Sequence, residues 1–273
     1  MIEDVADLEL ELLLDGICRR WSYDFRGYGR ASLKRRVKTA LASEGIDTIS
    51  ELQAKVLRDR AALERFVSYL SVHVTSMFRD PEVYLAIRTR VAPILRTYPF
   101  LRVWHAGCSS GEEVYSLAIV LAEEGLLDRA LLYATDISDV LVQRAKRGVF
   151  PLESMKKNTR NYHQAGGRAD FSDYWVADQR NAVMRDSLRK NLVFSRHSLV
   201  SDGSFNEFHV IFCRNVIIYF NQELRRRVHQ LLYDSLGKFG LIVLGLKETM
   251  DFTPHAAAYE RFDGNLRIYR RIK

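Results

Sequence analysis

The sequence predicts an α/β fold: a Rossmann-like, mostly parallel sheet, preceded by an all-helical domain and interrupted by a small inserted β subdomain. Three observations predict it. From residue 101 onward, short apolar runs alternate with helical periodicities. The apolar run Leu101 to Trp104 passes through a loop holding Gly107 and Gly111 into a helix marked by Val114, Leu117, Ala118, Leu121 and Ala122. The N-terminal quarter, by contrast, holds only helical patterns.

In that N-terminal part, residues 3 to 18 carry Leu8, Leu12 and Ile17 at helical spacing. Asp24 to Gly29 is rich in turn residues and breaks the pattern. Ser32 is expected to cap a helix from Leu33 to Ser43, closed by Gly45. Ser50 is expected to cap a third helix, and Ala61 to Leu70 forms a fourth. The second helix gathers Lys34, Arg35, Arg36 and Lys38. Such a cluster is either a solvated face or a docking surface for an acidic helix or other polyanion. No aromatics interleave with it, which speaks against single-stranded nucleic acid. Next, Asp80 and Pro81 suit the start of a helix through Tyr84, Ile87 and Val91. The expected divisions are 1–72 for the helical domain, 73–84 for a linker contributing to a site, and 85–273 for the α/β domain.

The glycine loop carries the chemistry. Its spacing is not that of a dinucleotide fingerprint, because Cys108-Ser109-Ser110 separate the two glycines. No Gly-Lys-Ser/Thr follows, so it is not a phosphate loop. Glu112 and Glu113 stand where a phosphate would want helix N-terminal amides free of negative charge. A ligand with a positive end fits better, and S-adenosylmethionine has an ammonium, a sulfonium and a nucleoside but no phosphate. The bland alternative is an ordinary strand-to-helix turn.

Ala130 to Thr135 is the second strand, ended by Asp136. An acid at that place commonly holds ribose hydroxyls. Asp136 could equally cap the helix Val140 to Arg147. From 148 to 190 the pattern decays, with short strand pieces at Asp173 to Ala177 and Asn181 to Met184; this is the inserted β unit. Asn191 to Ser195 and Phe208 to Cys213 are the third and fourth strands of the main sheet, the latter apolar enough to be buried on both faces. A helix spans Gln222 to Ser235, and Gly240 to Gly245 is the fifth strand. Ala257 to Phe262 and Leu266 to Arg270, joined by Asp263-Gly264-Asn265, form a hairpin.

Composition bounds the class. With 47% apolar and 27% charged residues over 273 positions, the chain can build a real core. Three dispersed cysteines suggest neither a disulfide frame nor a zinc site, and a reducing, cytoplasmic setting is expected. The acidic start lacks a signal-peptide n-region, and no apolar run is long enough to span a bilayer, so no membrane insertion is expected. The net charge of +7 admits nucleic acid, an anionic membrane surface or an acidic protein partner.

Four segments, in order, resemble the chemotaxis-receptor methyltransferases of the CheR type. They are Thr75-Ser76-Met77-Phe78-Arg79-Asp80, Trp104 to Glu113, Ala134-Thr135-Asp136-Ile137, and Ile211-Phe212-Cys213-Arg214-Asn215-Val216-Ile217-Ile218-Tyr219-Phe220. The resemblance covers nearly the whole chain. It implies a protein-glutamate O-methyltransferase that uses S-adenosyl-L-methionine, needs no metal, and acts on the cytoplasmic region of chemoreceptors. By position it implies that His73, Thr75, Arg79, Ala106, Gly107, Glu113, Asp136, Ile137, Ser198, Leu199, Asn215 and Val216 bind the cofactor. Glu113 would take its ammonium and Asp136 its ribose. Arg79 and Tyr219 would lie nearest the methyl group. Lys34, Arg35, Arg36 and Lys38, with the inserted unit, would meet the receptor.

Two alternatives stand beside this reading. Departures from the family pattern at His73, Ser198 and Lys247 motivate a catalytically weak cofactor-binding adaptor. The positive charge prompts a nucleic-acid methyltransferase, but no Asn/Asp-Pro-Pro-aromatic signature follows the fourth strand.

Overall fold

The computed structural model describes residues 4–70 and 75–273. Four helices come first: α1 (Val5–Trp21), α2 (Arg30–Glu44), α3 (Ile49–Arg58) and α4 (Arg60–Leu70). Their apolar faces close on one another through Leu13, Ile17, Val37, Val56, Leu63 and Phe66, all at or below 1% exposure. Two expected caps move. Thr48, not Ser50, caps α3, forming a capping box with Glu51; Ser50 instead donates to Glu9. Helix α2 begins at Arg30, ahead of Ser32, because the Gly29 amide is tied to the Tyr219 carbonyl at 2.7 Å and fixes the entry of the chain.

Helix α5 (Pro81–Ala86) runs through a π-helical turn, Ile87–Val91, into α6 (Ala92–Leu95). Then come β1 (Leu101–Ala106), α7 (Glu112–Glu123), β2 (Ala130–Asp136) and α8 (Asp139–Arg147). Ser138, not Asp136, is the side-chain cap of α8. The insertion holds more than the two expected strand pieces. It contains β3 (Val149–Pro151), α9 (Met155–Gln164), β4 (Trp175–Asp178), β5 (Asn181–Met184) and the short α10 (Asp186–Arg189). β3, β5 and β4 pair as a separate three-stranded antiparallel sheet.

The chain returns to the main sheet with β6 (Leu192–Arg196) and β7 (Phe208–Cys213), followed by α11 (Gln222–Ser235), β8 (Leu236–Leu244), β9 (Tyr259–Asp263) and β10 (Ile268–Arg271). The seven strands lie in the order β6-β2-β1-β7-β8-β10-β9. The first five are parallel, and β10 and β9 add an antiparallel edge. Strand β7 is central and sealed on both faces, which its unbroken apolar run requires. The order reverses between β1 and β7, so a crevice opens at their carboxyl ends. Among the described residues no helix is long and apolar enough to cross a membrane, and no group of His, Cys, Asp and Glu side chains could hold a metal ion.

Candidate active site

A cleft of about 1110 Å³, open to solvent, lies at that crevice. The strand ends supply its floor. After β1 the backbone turns through Gly107, with φ at +79°, and the Gly107 and Cys108 amides both reach the Thr135 carbonyl of β2. A Cβ on Gly107 would come within 2.6 Å of the Val216 side chain across the cleft, so glycine is required by space as well as by backbone angle. Gly111, the second glycine of the loop, does not line the cleft. Its bare Cα instead makes room for Ala145 of α8.

Asp136 closes β2 with its carboxylate fixed by two backbone donors. The Ser109 amide reaches Oδ2 at 2.9 Å and the Ser138 amide reaches Oδ1 at 3.0 Å. The residue is 8% exposed and borders the cleft.

Glu113, in the first turn of α7, lies 3.1 Å from His105 Nδ1 and accepts a 3.0 Å bond from Arg214. Burial disfavours its charge, but the His105 ring and the Arg214 guanidinium outweigh burial and lower its pKa. Arg214, directly after β7, also donates to Asp80 at 2.6 Å and to the Arg79 carbonyl. Its charge is met by Glu113 and Asp80, and by neither Asp136 nor Glu248.

Glu248 has a different task. Its carboxylate accepts from the amides of Asn215, Val216, Ile217, Ile218 and Gly245, at 2.7 to 3.3 Å. Thus one buried acid holds the whole turn that carries Asn215, Val216 and Tyr219 over the cleft. Asn215 itself sits at φ +60°.

The helical domain forms the opposite wall with Phe25, Tyr28 and Leu70. Tyr28 packs edge-on against Phe220 at 5.0 Å, and the Asn221 amide reaches the Gly27 carbonyl at 2.8 Å. The Arg36 guanidinium lies 4.9 Å from the Tyr219 ring centre and donates to Ser32 and to the Leu70 carbonyl.

The structure therefore brings Thr75, Arg79, Gly107, Glu113, Asp136, Ile137, Leu199, Asn215, Val216 and Tyr219 to one cleft. Ala106 and Ser198 are not on its wall: Ala106 is buried within β1, and the Ser198 hydroxyl accepts the Val200 and Ser201 amides of its own turn. His73 lies outside the described residues. The basic cluster of α2 divides. Lys34, Arg35 and Lys38 are exposed, Lys34 pairing with Asp7 at 2.5 Å, whereas Arg36 is buried toward the cleft. Residues that the sequence reading missed are His197, Tyr28 and Glu248. A helical-domain tyrosine gives no local signal for a site, and Glu248 was visible only as an acid after the fifth strand.

The side chains present fit S-adenosylmethionine and disfavour a phosphate. Two carboxylates, Glu113 and Asp136, face the glycine turn, and the Ser109 amide that could serve a phosphate is already taken by Asp136. Fold and cleft thus define an α/β protein of the S-adenosylmethionine-binding methyltransferase class. Residues 73–263 match the S-adenosylmethionine-binding domain of the CheR methyltransferases, and residues 8–71 match their all-alpha domain. The Pseudomonas putida protein Cher3 is 46% identical over 266 residues, covering 97% of both chains. A Listeria monocytogenes protein named chemotaxis protein methyltransferase is 28% identical, covering 89% of this chain and 92% of its own. Pseudomonas aeruginosa chemotaxis protein methyltransferase 1 is 28% identical over 80% of this chain and 82% of its own. The chain belongs to the CheR methyltransferase family.

Proposed function

We propose that this protein transfers the methyl group of S-adenosylmethionine to glutamate side-chain carboxylates on the cytoplasmic helices of a chemoreceptor. The observation that carries the reading is the meeting of Arg79 and Tyr219 with Glu113 and Asp136 in one cleft. The names of the relatives from Listeria monocytogenes and Pseudomonas aeruginosa support the chemotaxis setting.

When bound, S-adenosylmethionine supplies a methyl group already activated on a sulfonium. The incoming glutamate, with an ordinary pKa of about 4.3, arrives ionised and needs no general base. Its carboxylate oxygen bonds to the methyl carbon as the carbon–sulfur bond breaks toward sulfur. The products are a methyl ester and S-adenosylhomocysteine, and no proton moves. The protein's work is then to desolvate the carboxylate and hold it in line, which can supply roughly 7–11 kcal/mol. Arg79 offers a forked pair of donors for this. Tyr219, pinned between Arg36 and the Gly29 amide, borders the approach. Glu113 and Asp136 hold the ammonium and the ribose hydroxyls. Exposed Lys34, Arg35 and Lys38 form the face that meets the acidic receptor helix, and Arg36 acts deeper, beside Tyr219.

The test is incubation with methyl-labelled cofactor and receptor cytoplasmic fragments, followed by base-labile label release. Methyl esters on glutamate support the reading. Tight S-adenosylhomocysteine binding with no transfer to any fragment would favour a cofactor-binding adaptor instead.

A further inference from the structure

The segment that carries Arg79 is held by the inserted unit, and this tie has a consequence for turnover. Both polar groups of Met77 are captured by α9. The Met77 amide donates to Asn158 Oδ1 at 3.2 Å, and Asn161 Nδ2 donates to the Met77 carbonyl at 2.9 Å. The two asparagines are three residues apart, so they share one helix face. Asn158 is 1% exposed and Met77 is fully buried. The Phe78 amide donates to Ser116 of α7 at 2.9 Å. The Phe78 ring stands edge-on to Tyr84 and to Tyr162 of α9. On the far side, Arg214 grips the Arg79 carbonyl and the Asp80 carboxylate.

The backbone explains why so many holds are needed. Phe78 and Asp80, the two neighbours of Arg79, both sit in the left-handed region, at φ +50° and +56°. Side chains other than glycine keep that conformation only where the surroundings over-determine it. Asn158 and Asn161 provide one side of that determination and Arg214 the other. Without them, the segment can relax toward ordinary angles, and the Arg79 side chain leaves its place in the cleft.

We propose that Asn158 and Asn161 are positioning residues for Arg79, making the inserted unit part of the methyl-transfer machinery as well as a surface. This rests on the reading of Arg79 as the group that meets the incoming carboxylate. The polarity of the bonds sets different requirements. Position 158 must accept from an amide, so Asn158→Asp keeps the bond. Position 161 must donate to a carbonyl, so Asn161→Asp does not.

The test uses the full chain and four variants, Asn158→Ala, Asn158→Asp, Asn161→Ala and Asn161→Asp, each also combined with Arg79→Ala. Three quantities are read: S-adenosylhomocysteine affinity by calorimetry, kcat and KM for methyl transfer to a receptor fragment, and amide hydrogen exchange at Met77 and Phe78. Asn158→Ala, Asn161→Ala and Asn161→Asp should each lower kcat about tenfold, the worth of one well-placed hydrogen bond. Cofactor-product affinity should stay within about threefold, and Asn158→Asp should retain most of the turnover. None of the losses should persist once Arg79 is alanine. Exchange at Met77 should rise in Asn158→Ala while β7 amides stay protected.

Unchanged kcat in both alanine variants of an active enzyme, or losses fully additive with Arg79→Ala, would overturn the proposal. If the wild-type chain methylates no fragment, the functional reading fails by itself. Exchange then still decides, because an unchanged Met77 amide in Asn158→Ala would rule out the tether.

Discussion

The Arg214 guanidinium donates to Glu113 at 3.0 Å and lies 2% exposed, so the acid expected to face the cofactor's ammonium already carries one cation. Glu113 also faces His105. A ligand ammonium must therefore share this carboxylate, and Arg214 must keep a partner for its buried charge. Replacing Glu113 by Gln should weaken S-adenosylhomocysteine binding and cost about 1–3 kcal/mol of stability, because the buried guanidinium loses one of its two carboxylate partners and keeps only Asp80. Calorimetry and urea unfolding measure the two effects separately.

The same pair predicts a pH dependence. The pKa of Glu113 is lowered in the folded state. In the unfolded chain it returns to about 4.3. Between those two values the unfolded state binds more protons, so acidification favours unfolding. The contribution is complete above the unfolded value and disappears as pH falls through the folded one. The stability gap between wild type and Glu113→Gln should thus hold steady well above the unfolded value of about 4.3 and shrink as pH falls below it and through the lower folded value, as read in urea titrations. A gap that stayed constant would assign the stabilisation to packing.

Glu248 anchors five amides without touching the cleft wall. Glu248→Ala should cost at least about 3 kcal/mol, since charge-assisted bonds are worth roughly 1.5–3 kcal/mol each and a buried set is lost together. Glu248→Gln should recover part of this, as one oxygen remains an acceptor while its amide group faces donors. Chemical denaturation reports the loss, and cofactor affinity should fall in parallel because Asn215 and Val216 ride on the turn.

Gly107→Ala meets two obstacles. One is the left-handed angle, which costs about 1–2 kcal/mol; the other is the Val216 methyl 2.6 Å from the new Cβ. Adding Val216→Ala should relieve the contact and leave the angle. The double variant is therefore expected to bind S-adenosylhomocysteine better than Gly107→Ala and worse than wild type. Equal affinities for single and double variants would mean that Val216 yields without cost.

Arg36→Ala removes a guanidinium that stacks on Tyr219 and ties α2 to the Leu70 carbonyl. Turnover should fall more than cofactor-product affinity. Arg36→Lys should not restore it, because an ammonium lacks the planar fork that serves a ring, a hydroxyl and a carbonyl together. In contrast, Lys34→Ala, Arg35→Ala and Lys38→Ala together should raise the KM for the receptor fragment, and the effect should fade with added salt.

How far the sequence could be read depended on the range of the signal. Strand β7 and helix α11 were delimited to the residue, because a doubly buried strand and an asparagine-capped amphipathic helix write themselves in local composition. The hairpin at the end was legible from Asp263-Gly264-Asn265 between apolar runs. The insertion was only half legible: α9 has mostly polar residues and buries just Met155, Asn158 and Tyr162, so its periodicity is faint. The caps expected at Ser32 and Ser50 are displaced by groups distant in the chain: Gly29 is fixed by Tyr219 ahead of α2, and Ser50 donates to Glu9 of α1 while Thr48 caps α3.

By itself, then, the amino-acid order determined the alternation of elements, the parallel sheet with its antiparallel edge, and the acids around the glycine turn. These follow from apolar periodicity and residue chemistry, which act between near neighbours. Only the tertiary structure decided that Arg36 faces inward, that Arg214 joins Glu113 to Asp80, that Glu248 serves a turn instead of an arginine, and that α9 holds Met77. Each of those is a contact between groups distant in the chain, where direction and distance decide the partner and composition carries no record of either.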